Sequence, residues 1–201
     1  MFEPKNCKAY LGSIRNITEA LTSTLDVGEV LRQIVRLTAE ATGAKGCALR
    51  LLDERTRQLV LSAAWGLSEN YLTKGPIDVD HSIAACMKGE SVHIQDVKND
   101  PRIQYPKHAE AEGIVSLLSV PMVLMNRVVG VLRLYASESR HYAEEELEFV
   151  RTLAGLGTLA IEHARLYSRL KADHESLIKD FHAWFESSLH PHTGPADTAK
   201  L

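Results

Sequence analysis

The sequence predicts an α+β domain, in which helices bracket a series of short apolar strands. Three observations carry this reading. Apolar residues recur at helical spacing through the first forty residues, then give way to brief, almost continuously apolar runs separated by turns, and a helical period led by acidic residues returns after Tyr135.

Leu11, Ile14, Leu21 and Leu25 keep helical spacing, so one helix is expected over about residues 5–24. Asp26-Val-Gly-Glu29 then places an N-cap carboxylate three residues ahead of a glutamate, the pattern that satisfies orphan amides at a helix start. A second helix is expected over 27–42, with Val30, Leu31, Ile34, Leu37 and Ala41 as its apolar stripe and Gly43 as a left-handed cap. From Gly46 the period changes. Cys47–Leu52 reads as a central strand, and Leu59–Trp65 as its hairpin partner across the turn Asp53–Gln58.

Between Gly66 and Gly113 the pattern is broken, with short helical candidates at Glu69–Thr73, Ser82–Lys88 and Pro106–Glu112 around a brief strand, Val92–Ile94. Segments of this kind carry binding groups on a regular frame. Two strong strands follow, Ser116–Leu124 and Val128–Tyr135, joined by the compact turn Met125-Asn-Arg127. Glu144, Glu145 and Glu146 open a last helix that is expected to reach about Trp184, where negative charge favours the dipole. The tail from Pro191 has little to bury and is expected to be disordered.

Composition narrows the function. The 201 residues carry a net charge of −3, which gives no basic field for nucleic acid or an anionic membrane. Cys7, Cys47 and Cys86 are scattered singly, without C-x-x-C spacing, so a reduced cytoplasmic protein is expected rather than a disulfide scaffold. Neither a signal peptide nor a bilayer-spanning run is legible, the longest near-apolar stretch, Ile114–Met125, being interrupted by serines and Pro121.

Catalytic signatures are sought without success. G-x-S-x-G, the P-loop pattern and H-E-x-x-H do not occur, so no enzyme activity and no catalytic residue is expected. Gly155-Leu-Gly157 lies inside a predicted helix and not after a strand, which argues against a dinucleotide role. His81, His93 and His108 read as solvated loop residues ahead of metal ligands, and Cys86 as a small buried hydrophobe. No metal is expected, and the sequence names no cofactor.

Ser116-Leu-Leu-Ser-Val-Pro-Met-Val-Leu124 followed by Arg127-Val-Val-Gly-Val-Leu-Arg-Leu-Tyr135 resembles the paired central strands of GAF domains. His93-Ile-Gln-Asp-Val97 with Asp100-Pro-Arg102 resembles that family's connecting loop, and Glu145–Ala164 its closing helix. The likeness runs from about Asp26 to Tyr167. It implies an antiparallel sheet of five or six strands in an α/β sandwich, with the long N- and C-terminal helices on one face and variable loops over a ligand pocket on the other. It also implies a signal-sensing role, either through a bound small molecule or as a ligand-free dimerisation and relay unit with a vestigial pocket. Patterns of cyclic-nucleotide-binding, bilin-binding and methionine-sulfoxide-reducing members are not matched: Cys86 is followed by Met87 rather than His, and Cys7 and Cys47 lie outside the relevant loops.

The chain thus divides into an N-terminal helix (1–25), a GAF-like domain (26–167), a helical extension (168–187) and a tail (188–201). Leu153, Leu156, Ala160, His163, Tyr167, Leu170, His174, Leu177, Phe181 and Trp184 alternate spacings of three and four, the a/d seam of a left-handed coiled coil. A parallel homodimer through this helix is expected, unless the stripe folds back on its own domain; an unlinked signalling protein is the other partner in view.

Period-two alternation sets Arg50 with Ala48 and Leu52, and Arg133 with Val129, Val131 and Tyr135. Family topology makes these strands neighbours, so both arginines are expected in the half-enclosed space beneath the variable loops. Trp65, Tyr71 and Tyr105 are the expected walls, with Asp78 and His81 completing the candidate ligand-binding set. Two guanidiniums there either grip an anionic metabolite or close salt bridges to Asp78, Asp80, Glu110 or Glu112.

Overall fold

The computed structural model describes residues 4–24, 26–79 and 83–189. It divides into two units, Met1–Glu162 and His163–Leu201. In the first, helices α1 (Pro4–Ser23) and α2 (Val27–Thr42) precede strands β1 (Gly46–Asp53) and β2 (Gln58–Trp65). The variable half holds α3 (Glu69–Leu72), β3 (Ile77–Asp78), a 3-10 turn at Cys86–Lys88, β4 (Val92–Ile94) and α4 (Pro106–Ala111). Strands β5 (Ser116–Leu124) and β6 (Arg127–Ala136) follow, and then helix α5 (Glu144–Leu189).

Local chemistry sets the boundaries as expected. Asp26 Oδ1 accepts from the Glu29 amide at 3.2 Å, and Gly43 ends α2 at φ 66°, in the left-handed region a glycine enters without strain. The β5–β6 turn holds Met125 and Asn126 at φ 45° and 65°, the twist that two-residue hairpins need. One prediction for α1 fails: Leu11 is exposed, and the buried stripe runs through Ile17 and Ala20, flanked by Tyr10, Ile14 and Leu21.

The sheet is six-stranded in the order β3-β2-β1-β6-β5-β4, antiparallel at every pairing. The two-residue β3 is the strand that pattern reading missed, because it is too short to show alternation. Each face of the sheet carries its own core. On one, Leu49, Val120, Met122, Leu132 and Leu134 pack against Ile34 and Val35 of α2 and Phe149, Val150 and Leu153 of α5. Gly157 makes that approach close, since a Cβ there would stand 3.2 Å from Met122 Cε, whereas a Cβ on Gly155 would meet nothing within 4 Å, so packing accounts for the second glycine of the Gly155-Leu-Gly157 step. On the other face, Ala48, Leu59, Val131 and Tyr135 pack under Tyr71, Ile77, Ile83, Cys86 and Ala109 of the variable half.

One irregularity redirects half a strand. Leu49 pairs with Ala63 but Arg50 with Leu61, so Ser62 bulges from β2 and reverses which side its later residues take. Leu59 and Leu61 lie toward the variable loops, whereas Ala63 joins the helix-side core.

The second unit is the remainder of α5 and beyond. Along it Leu166, Tyr167, Leu170, Leu177, Ile178, Phe181, Trp184 and Phe185 are exposed, Leu170 at 69%. The tail expectation lies outside the described residues. No helix among the described residues is long and apolar enough to cross a membrane.

Candidate functional site

Strands β1 and β6 pair with Ala48 opposite Arg133 and Arg50 opposite Val131. Both arginines therefore stand on the loop side, as the alternation predicts. Instead of a half-enclosed space, however, they occupy a closed one: Arg50 is 3% exposed and Arg133 5%. Arg133 Nε donates to Ser119 Oγ at 2.9 Å, its cross-strand partner on β5. Arg50 Nη1 points to the Leu59 carbonyl at a long 3.5 Å. Arg50 Nε and Nη2 are buried with no hydrogen-bond partner among the described residues. Those two atoms form one edge of the guanidinium, the edge that grips two oxygens of an oxyanion side-on.

Over the arginines sits Tyr71 of α3, buried and edge-on to Tyr135 with ring centroids 5.5 Å apart. Burial, and next the Tyr135 hydroxyl, push the Tyr71 phenol far above its ordinary range, against the pull of Arg133 and Arg50. Tyr135 Oη is likewise buried without a geometrically regular hydrogen-bond partner among the described residues. Lys74, just after α3, lays its ammonium 3.2 Å from the centre of the Tyr71 ring and donates to the Tyr71 carbonyl at 3.2 Å. Burial, then Arg50 and Arg133, push the Lys74 amine down to about 7, while Glu112 pulls the other way. Cys86 closes the cluster as a buried hydrophobe, its thiol pushed up to about 12 by burial against the pull of Arg133.

The remaining expected residues scatter. Trp65 pairs with Cys47, which belongs to the helix-side core, so the bulge at Ser62 takes Trp65 to the face opposite Arg50. Asp78 pairs with Gln58 while its neighbour Ile77 pairs with Leu59 on the loop side, so the Asp78 side chain also points away from the arginines. Tyr105 is a strap rather than a wall. Its hydroxyl donates to the Pro76 carbonyl at 2.9 Å and lies where a Cβ on Gly75 would approach to 2.8 Å. His81 and Asp80 lie outside the described residues.

Two of the acids weighed as internal partners are engaged elsewhere. Glu112 accepts from the Ser68 amide at 2.9 Å and from the Ser68 hydroxyl, tying α3 to the end of α4. Glu110 accepts from Lys98 at 2.8 Å. Away from this cluster, His93 is half-buried, not solvated. It packs edge-on to Tyr142, and burial followed by His141 pushes its imidazole down. No group of three or more metal-binding side chains occurs among the described residues.

The profile of the GAF domain matches residues 24–162. The chain belongs to the GAF domain family. Among curated relatives, a "Methyl sulfide methyltransferase-associated sensor" of Methanosarcina acetivorans is 28% identical over 83% of this chain and 17% of its own length. A "Nif-specific regulatory protein" of Herbaspirillum seropedicae is 24% identical over 90% of this chain and 34% of its own length. This GAF chain thus spans about a third or less of these relatives. Among solved structures, the GAF domain of a phosphoenolpyruvate-protein phosphotransferase from Coxiella burnetii superposes with a TM-score of 0.70 at 25% identity, covering 81% of this chain and 98% of that one. A free methionine-R-sulfoxide reductase of Neisseria meningitidis, solved with its substrate, reaches a TM-score of 0.67 at 21% identity over 83% and 96% of the two chains, a likeness of fold.

Proposed function

We propose that this GAF domain is a signal-sensing module that binds a small anionic metabolite beneath its variable loops and relays its state through a helical dimer. One observation carries the reading: Arg50 presents the Nε–Nη2 edge, buried and without a hydrogen-bond partner among the described residues, to the loop side of the sheet. A buried guanidinium with an unsatisfied edge is costly to keep. An oxyanion supplies the missing acceptors and the missing charge together. In this reading the output of the site is a change of conformation.

The relay rests on α5. Beyond Glu162 its apolar residues are exposed, and Tyr167, Leu170, Leu177, Phe181 and Trp184 keep the seam spacing. A second copy covering them gives the homodimer and a route for the signal.

The closed state of the arginine cluster favours the second reading, a ligand-free relay unit. A thermal-shift screen of carboxylate and phosphate metabolites decides between them. A ligand at a hundred times its Kd adds about 2.7 kcal/mol of stability; a relay unit with a vestigial pocket gains nothing from any of them.

A further inference from the structure

Lys74 lies on a loop, where strand alternation reveals nothing, and it stands in an unfavourable field. Arg50 of β1 and Arg133 of β6 both act on its ammonium repulsively, Tyr71 of α3 holds it through ring and carbonyl, and among the described residues Glu112 after α4 is the acid that favours its charge. That acid is already engaged by Ser68. Cys86 shares the same buried space and brings no negative charge there, since its thiol stays protonated.

We propose that Lys74 is the proton-coupled closing arm of the anion site: when a compact oxyanion of the carboxylate or phosphate type docks on the Arg50 edge, Lys74 takes up a proton and completes the grip. The proposal rests on the reading that the arginine cluster takes an anion. A docked dianion reverses the field at Nζ, because two repelling guanidiniums are then screened by an opposite charge in contact. On docking, the ammonium exchanges the Tyr71 ring and carbonyl for the ligand. Binding therefore consumes a proton wherever the free amine is partly neutral, which begins near pH 7. Above that point affinity falls toward about tenfold per pH unit, until the amine of the complex itself begins to titrate.

Isothermal titration calorimetry with sulfate and with malonate tests this, since both stay essentially dianionic across the window and stand for the phosphate and carboxylate geometries. We expect wild-type Kd for at least one of them to weaken at least about tenfold from about pH 6.5 to pH 8.5. Lys74→Met should bind weakly and equally at both values. Carbon-13 NMR of the Lys74 Cε gives a second reading, in which saturating anion moves the amine titration upward. Wild-type binding that is independent of pH, or an unchanged slope in Lys74→Met, overturns the role of Lys74 and leaves the anion site standing. Absence of binding by either anion at both pH values overturns the anion reading and the Lys74 proposal together.

Discussion

Gly130 lies so close to Arg50 across the β1–β6 pairing that a Cβ on the glycine would stand 2.6 Å from the arginine's carbonyl oxygen. Leu51 Cδ2 and Met122 Sδ crowd the same point at 3.1 and 3.3 Å. The obstacle is backbone, which cannot swing aside. Gly130→Ala should therefore destabilise the domain by about 1–3 kcal/mol, as overpacking does, and disturb the strand that aims Arg50. Chemical denaturation measures the first effect, and backbone amide shifts of Arg50 and Leu51 the second.

Arg50→Met should melt no lower than the wild-type protein in the absence of ligand. The substitution removes a buried charge with an unsatisfied edge and replaces it with an apolar chain of similar length. A loss of several kcal/mol, the signature of breaking a buried ion pair, would mean that Arg50 is part of an internal bridge.

Lys74 makes stability depend on pH. Its folded amine titrates near 7, below the ordinary 10.5, so between these values the unfolded chain binds more protons and stability rises with pH. Below about 7 both states carry the proton and the cost of burying it is fully present. Urea midpoints should climb from pH 7 to pH 9 in the wild type, and the climb should be smaller in Lys74→Met.

The three cysteines should separate cleanly by reactivity. Cys7 is exposed, whereas Cys47 and Cys86 are buried and burial pushes both thiols up, Cys86 to about 12. Native protein should react with one equivalent of iodoacetamide at neutral pH, at Cys7, and with three only after unfolding. Rapid labelling of Cys86 in the native state would contradict its placement in the loop-side core.

Truncation after Ser168 removes Leu170, Leu177, Phe181 and Trp184 from the proposed seam. Sedimentation should then show a dimer for the full chain and a much weakened association for the truncated one. Equal association in both would place the interface elsewhere.

Much of this arrangement is legible in the sequence, because it follows from period. The order of elements, the caps at Asp26 and Gly43 and the shared face of Arg50 and Arg133 all come from spacing that the regular strands β1 and β6 preserve. Trp65 goes the other way for a specific reason: one extra residue, Ser62, shifts the alternation of β2, and a bulge leaves no mark in hydrophobic pattern. Asp78 and Tyr105 belong to loop geometry, where a two-residue strand and a hydroxyl-to-carbonyl strap decide direction. Lys74 escapes pattern reading for the same cause. Its meaning lies in the two arginines that fold beneath it, far away in sequence.

Side-by-side thermal shift of wild-type protein and Arg50→Met against one panel of small carboxylates and phosphates tests the central claim most directly. At least one anion should raise the wild-type Tm in a concentration-dependent way and leave the variant unmoved, while both proteins unfold at similar temperatures without it. Equal shifts in both proteins, or none in the wild type with any anion at millimolar concentration, would contradict an anion-sensing role for this site.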